Sequence, residues 1–329
     1  VSSPTAPLAF SGSRLQWLDL PRPVRTRIVE LAGAEVTSEM SATTGFSPGF
    51  ASLLELGDGS RVFVKAVSPE QNPQSPTLAR KEVVVAAALP DELPTPRLLW
   101  SDDNGTWVLL GFEAVDGVSP RLPWDTTELD RAMSALADLA TVGTPGPPGL
   151  PSLASQVEPM MRGWRQIAEN PDALELVTGV TGPDGPWVRE HLDDLVAWSG
   201  RAPAAGAGDT LVHGDLRADN VLLDHDRTWL IDWPHACRGG ARWWDLLAML
   251  PSVAMQGGGD PQALFWDHPN ADGADPDAVL AVLAGITGFF LAGSIQPPPP
   301  GLTNLRPFQR AQGVAALTWL RRMHGERRP

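Results

Sequence analysis

An α+β fold, a small antiparallel sheet followed by a larger and mainly helical region, is predicted by three features of the 329-residue chain. Residues 34 to 113 hold five short β-prone runs broken by glycine-bearing turns, with a single helical stretch among them. From Gly117 onward apolar residues recur at helical spacing in six stretches. Inside that helical region the very short strands Thr210–Val212, Val221–Leu223 and Trp229–Ile231 bracket a polar loop.

Each element follows from a local pattern. Pro21 to Ala32 sets Val24, Ile28, Val29 and Leu31 at helical spacing with arginines between them. Residues 34–40 read as a strand, and Gly45-Phe46-Ser47-Pro48-Gly49 as the turn after it. Phe50 to Leu56 and Arg61 to Val67 are apolar and flank Gly57-Asp58-Gly59-Ser60, a strong hairpin signal. Ser75 to Leu89 predicts a helix stopped by Pro90, and the strands Arg97–Ser101 and Trp107–Glu113 flank Asp102-Asp103-Asn104-Gly105. The helices expected beyond are Leu129–Ala140, Leu153–Ala168, Pro186–Trp198, Trp243–Leu250, Pro276–Ile295 and Arg310–His324, with Pro297–Pro300 as a short spacer.

Composition removes whole classes of function. A net charge of −14 and a pI near 4.8 argue against a sequence-independent nucleic-acid binder, which needs a basic surface, and favour a cationic partner. The single cysteine, Cys237, excludes an intramolecular disulfide and a cysteine-rich zinc site, which fits a reducing cytoplasm. Residues 278–295 are uncharged over about the shortest length that spans a bilayer. Three glycines and acidic flanks favour a helix buried in a large domain over a membrane span.

The chemistry concentrates in His213-Gly214-Asp215-Leu216-Arg217-Ala218-Asp219-Asn220, followed by Ile231-Asp232-Trp233. A carboxylate at Asp215 suits acceptance of a hydroxyl proton, while Asn220 and Asp232 offer the hard oxygens that Mg2+ takes beside phosphate. The five-residue step from Asp215 to Asn220 equals that of the protein-kinase catalytic loop. Four such fixed positions arise by chance in roughly one chain in a thousand. Upstream, Lys65 interrupts an apolar strand in a chain whose only other lysine is Lys81, and a lysine kept there suits contact with phosphate. The turn Gly45 to Gly49 precedes that strand, where backbone amides and Ser47 would cover phosphates. A transition-metal hydrolase site built from His213, Asp215, Asp232 and His235 is a rival pattern, but it gives Lys65 no task.

These residues resemble the aminoglycoside phosphotransferase family of small-molecule kinases, whose loop reads H-G-D-x-x-x-x-N and whose metal acid often sits in I-D-W. Gly240 and Asp245 match its later G-x-x-x-x-D-L-A segment. The resemblance implies a protein-kinase-like bilobal fold: residues 1–20 a loose N-terminal segment, 21–116 a nucleotide-binding lobe, and 117–329 a helical lobe with the catalytic loop and acceptor site. It further implies that Glu82 pairs with Lys65, that backbone groups of Glu113 and Val115 hold the adenine edge, and that Asp245 ties loop backbone. His213 is expected to anchor backbone rather than act in chemistry.

The implied reaction moves the γ-phosphoryl group of ATP, or of GTP, with Mg2+ to a hydroxyl of a small molecule. An acidic helical lobe favours an aminoglycoside or other cationic antibiotic as acceptor, with the acids between Asp260 and Asp275 as candidate contacts; a hydroxylated metabolite is the alternative. A catalytically inactive nucleotide-binding regulator would have lost Lys65, Asp215, Asn220 or Asp232, and all four are present. A protein kinase would carry D-F-G and A-P-E segments between Asp232 and Asp245, and neither is there.

Overall fold

In the computed structural model, which describes residues 7, 9–10 and 14–326, a five-stranded antiparallel sheet packs beside a larger helical lobe. The sheet is built from β1 (Val36–Ser41), β2 (Phe50–Leu56), β3 (Arg61–Val67), β4 (Leu98–Asp103) and β5 (Val108–Glu113), in the order β1-β2-β3-β5-β4. The β2–β3 hairpin turns as expected: Gly59 takes a left-handed φ of 86°, and Asp58 Oδ1 accepts from Ser60 N at 2.9 Å. Both faces of the sheet are covered. The helix α1 (Arg22–Ala32) buries Val24 and Ile28 against Leu54, Val62, Val64 and Ala66, while α2 (Ser75–Ala86) packs Ala79 with Val67, Val108 and Leu110 on the other face.

The larger lobe comprises α3 (Thr126–Val142), α4 (Leu153–Val157), α5 (Gly163–Ala168), α6 (Pro171–Val180), α7 (Gly185–Glu190), α8 (Leu192–Ala205), α9 (Trp244–Met255), α10 (Pro261–Trp266), α11 (Pro276–Ser294) and α12 (Leu305–Gly325). Between α8 and α9 run β6 (Ala207–Val212), β7 (Val221–Leu223), β8 (Thr228–Leu230) and β9 (Cys237–Gly240), paired β6 with β9 and β7 with β8. The apolar helix α11 forms the centre of the lobe, against α5, α8 and α12, and 72% of its apolar window is buried. Close approach there depends on glycine. A Cβ on Gly163 would stand 2.2 Å from Gly288 O, and one on Gly288 would meet the ring of Trp164, whose Nε1 donates to Ala284 O at 2.8 Å.

Several expectations need correction. The single helix expected over 153–168 breaks at Pro159, which has no amide to continue the ladder, and Met160–Arg162 forms a 3-10 turn. The helix expected from Pro186 divides at His191, whose Nδ1 bonds to Trp187 O at 3.0 Å. The helix α6, capped by Asn170 with Pro171 in its first turn, and the glycine-rich β9 were not expected. The loose segment expected at 1–20 includes residues 1–6, 8 and 11–13, which lie outside the described residues. The remainder is docked. Phe10 bridges Gly45, Leu15 bridges Phe50, Trp17–Asp19 make a 3-10 turn, and Leu20 is 2% exposed. The proline run is more than a spacer: Pro300 O accepts from Asn72 Nδ2 at 3.0 Å, and Gly301 abuts Pro48, so it ties the helical lobe to the small one.

Candidate active site

Three backbone segments meet where the sheet faces the helical lobe. The first is β3. Side chains alternate along a strand, so with Val62, Val64 and Ala66 turned toward α1, Lys65 faces α2 together with Phe63 and Val67. There Lys65 Nζ donates to Glu82 Oε1 at 2.8 Å and Oε2 at 2.9 Å, and to Asp232 Oδ1 at 2.7 Å. Burial favours a neutral lysine, but the two carboxylates outweigh it and raise the Lys65 pKa. Burial pushes Glu82 up against the pull of Lys65. At Asp232 burial acts the same way, yet Lys65 prevails and lowers the carboxyl to about 2.

The second segment is the loop between β6 and β7. Asp245, in the first turn of α9, accepts from His213 N at 2.7 Å and Gly214 N at 2.9 Å, which fixes the backbone just before Asp215. Gly214 has a left-handed φ of 82°, and a Cβ there would stand 2.8 Å from His235 O, so only glycine fits this bend. His213 is fully buried and both ring nitrogens are engaged: Nε2 donates to Ile231 O at 3.0 Å, and Nδ1 accepts from Asp215 N at 3.3 Å. Burial lowers its pKa to about 4, so the ring is neutral at pH 7. This is the anchoring role expected for His213, and it leaves no nitrogen for a metal. Among the described residues no group of three or more His, Cys, Asp or Glu is arranged to hold a metal ion.

Asp215 and Asn220 come together on this loop. Asn220 Nδ2 donates to Asp215 O at 2.7 Å and approaches Asp215 Oδ2 at 3.4 Å. Burial raises the Asp215 pKa, opposed chiefly by Arg217. Arg217 pairs with Asp215 Oδ1 and forks onto Asp219 at 3.0 and 2.8 Å, so Asp219 stabilises the loop. Ile231 N donates to Asn220 O at 3.0 Å, which sets Asp232, one residue on, beside Asn220. Among the described residues Asp232 is the only non-glycine with a left-handed backbone, at φ 68°, a strain of the kind held at functional sites. Asn220, whose amide nitrogen is engaged with Asp215, and the part-exposed Asp232 carboxylate offer oxygens of the hard kind that Mg2+ takes.

The third segment is the turn 44–49. Gly45 adopts φ 93°, and Gly49 lies so close to β3 that a Cβ would stand 2.8 Å from Ala66 O. Ser47 faces the N-terminal segment through its carbonyl, which accepts from Arg14 Nη2 at 3.2 Å. Phe46 reaches across to the helical lobe, with its ring 5.2 Å edge-on to Phe308 of α12 and 5.5 Å from the Arg217 guanidinium. At the connection between lobes, Glu113 N donates to Arg97 O at 2.8 Å and its carboxylate pairs with Arg97, so of its backbone only the carbonyl remains for a ligand. Val115 lies in the coil beyond β5, ahead of the antiparallel bridge between Val118 and Leu223.

Arg217, Arg14, Phe46 and Phe308 were not singled out from the sequence. Arg217 had a readable signal, a base two residues after the loop acid; the other three depend on contacts distant in sequence. Two acids named as candidate acceptor contacts have structural tasks: Asp260 caps α10 and pairs with Arg322, and Asp275 caps α11. The thiol of Cys237 is buried and pushed up to about 12, so it is a packing residue.

Comparison with known proteins accords with this geometry. A thermostable mutant of aminoglycoside phosphotransferase APH(4)-Ia, in ternary complex with ADP and hygromycin B, superposes with a TM-score of 0.58 at 16% identity, covering 91% of this chain and 98% of that one. The choline kinase LicA from Streptococcus pneumoniae gives 0.56 at 16% identity, over 89% and 98%. APH(3'')-Id from Streptomyces rimosus, in complex with ADP and streptomycin, gives 0.50 at 18% identity, over 82% and 99%. No curated protein matches the chain. The likeness in structure establishes the protein-kinase-like fold, and the family model of the APH phosphotransferase enzymes matches residues 44–281. The chain belongs to the phosphotransferase enzyme family.

Proposed function

We propose that the protein is a small-molecule kinase that moves the γ-phosphoryl group of ATP to a hydroxyl of a cationic acceptor. The observation that carries this reading is the convergence of Lys65, Glu82 and Asp232 across the lobe boundary, with Asp215 and Asn220 tied to the same strand end. Lys65, steadied by Glu82, meets the α- and β-phosphates, and the 44–49 turn covers them, with Gly45, Ser47 and Gly49 shaping the cover. The Glu113 carbonyl and the Val115 amide hold the adenine edge. Mg2+, held by Asn220 and Asp232, supplies neutralisation of phosphate charge when bound. Arg217 holds Asp215 Oδ1, so Oδ2 is the oxygen that takes the hydroxyl proton as the acceptor oxygen attacks phosphorus in line. A pKa raised by burial makes that carboxylate a better base. The O–P bond to the acceptor forms, the bond to the β-phosphate bridge breaks, and ADP leaves.

Two considerations support a cationic acceptor. The chain carries a net charge of −14, which attracts cations over a distance. The similar structures include complexes with hygromycin B and streptomycin and a choline kinase, which points to hydroxylated amines as the class to screen. The reading is tested by thermal unfolding with Mg-ATP, with Mg-GTP, with ATP plus chelator and with no ligand. A nucleotide at about 100 times its Kd adds ~2.7 kcal/mol, a rise of several degrees. A magnesium-dependent rise with ATP is expected, and the GTP arm names the preferred donor. No rise with either nucleotide at millimolar concentration overturns the reading.

A further inference from the structure

The N-terminal segment enters the site through one side chain. Arg14 Nη2 donates to three carbonyls of the turn between β1 and β2: Thr44 O at 2.9 Å, Ser47 O at 3.2 Å and Gly45 O at 3.3 Å. The chain beside it reinforces the grip. Gly45 N donates to Ala9 O at 2.7 Å, and the segment runs parallel to the turn through the bridges Phe10–Gly45 and Leu15–Phe50. A peptide carbonyl and the amide that follows it point in opposite directions across a trans bond. Holding the Gly45 carbonyl toward Arg14 therefore turns the Phe46 amide away from Arg14, while the Phe46 ring reaches Arg217 of the 213–220 loop. Ser47 is followed by Pro48, which has no amide to turn.

The charge on Arg14 is unusual for so enclosed a group. Among the described residues its partners are neutral carbonyls and the ring of Phe10 at 5.9 Å, and its Nε is buried without a hydrogen-bond partner. Burial disfavours the cation, and the charge of Asp232 acts against that. A cation enclosed among neutral acceptors, within the field of the proposed metal acid, is stabilised when an anion arrives at the turn it holds.

We propose that Arg14 is a positioning residue for the nucleotide phosphates: it sets the 44–47 backbone so that the Phe46 amide faces them, and its charge biases the turn toward polyanions. This rests on the reading of the cleft as a nucleotide site. The base and ribose make no demand on Arg14, so its effect grows from nucleoside to triphosphate.

The test titrates full-length wild type, Arg14→Ala and Arg14→Lys with Mg-ATP and with adenosine, alongside the unfolding midpoint of each without ligand. Arg14→Ala weakens Mg-ATP by about ten- to a hundredfold, the loss of hydrogen bonds that involve a charged group, and leaves adenosine within about twofold. Arg14→Lys keeps the charge but not the fork, and recovers part of the loss. Equal Mg-ATP affinity in wild type and Arg14→Ala overturns the proposal, as does an equal loss for adenosine and ATP, which marks a merely structural residue. If Arg14→Ala does not fold, Arg14→Lys decides alone, by whether it loses Mg-ATP affinity while keeping adenosine. A wild type that binds neither ligand overturns the nucleotide reading itself, an outcome distinct from any difference between variants.

Discussion

The 213–220 loop, proposed to hold the catalytic base, and the 44–49 turn, proposed to cover phosphate, are both short, polar and glycine-bearing, yet they are held in opposite ways. From His213 to Asn220 most restraints are local: Arg217 grips acids two residues to either side, Asn220 reaches back five residues to Asp215, and His213 accepts from an amide two residues on. The turn 44–49 has few such internal ties. Its carbonyls are held by Arg14, some thirty residues earlier, its ring contact comes from Phe308, and Pro48 rests against Gly301. One loop carries most of its own scaffold, with Asp245 as its long-range tie, and the other borrows one from both ends of the chain. Local scaffolding suits a base that must keep one position; a borrowed one suits a cover that opens and closes over a ligand.

Breaking the chemistry without breaking the scaffold has the largest expected effect. Asp215→Asn keeps the size and most of the hydrogen bonding of the loop but removes the proton acceptor. Acceptor-dependent ADP release falls by about 10³-fold, in the range set by loss of a general base. Mg-ATP affinity, measured by titration, stays within about twofold, because the groups assigned to the nucleotide are untouched. A variant that turns over at the wild-type rate removes Asp215 from the base role.

The difference in scaffolding also decides what the sequence could reveal. The motif of the 213–220 loop was legible because Asp215 and Asn220 lie five positions apart and meet in the fold, whereas the grip of Arg217 on both neighbouring acids was not singled out. The pairing of Lys65 with Glu82 followed from the family resemblance alone. Arg14 was invisible for the converse reason: it lies in a Ser-, Pro- and Gly-bearing stretch that reads as loose, and only the folded sheet brings it beneath Gly45. The same holds for the proline run, a spacer by composition that becomes a tie between lobes through Asn72. Helix breaks at Pro159 and His191 were missed because periodicity continues across them while the backbone does not.

A second prediction sharpens the comparison by loosening the long-range tie that the 213–220 loop does have. Asp245 accepts two loop amides, and burial raises its pKa to about 6 from the ordinary 3.8. Its protonated form is favoured in the folded state, so its contribution is complete below about pH 4 and is lost as pH rises through about 6. His213 has the opposite sign. With a folded value near 4 against the ordinary 6.5, it stabilises above pH 6.5 and loses that contribution as pH falls toward 4. On these two groups wild-type stability changes little between pH 7 and 5. Asp245→Asn costs about 2 kcal/mol at pH 7, since one amide oxygen cannot accept as both carboxylate oxygens do. It also leaves His213 unopposed, so the variant loses about 2 kcal/mol more on going to pH 5, against less than half of that in wild type. Denaturant unfolding at the two pH values measures both, and parallel pH dependence in the two proteins contradicts the pairing of signs.

The smallest effect belongs to the borrowed scaffold. Phe46→Leu keeps an apolar side chain on the turn but gives up the edge-on contact with Phe308 and the face offered to Arg217. Aromatic pairs and cation–π contacts at part-exposed positions contribute about 1 kcal/mol together, so global stability falls by roughly that amount or less. The informative quantity is where the loss appears. The turn is joined to the helical lobe through this ring, so amide exchange at residues 44–47 accelerates several-fold in Phe46→Leu, whereas amides of 213–220, tied by Asp245 and Asn220, keep their wild-type rates. Acceleration in both segments would mean that the two loops share one scaffold, and that the division between a self-held catalytic loop and a braced phosphate cover is mistaken.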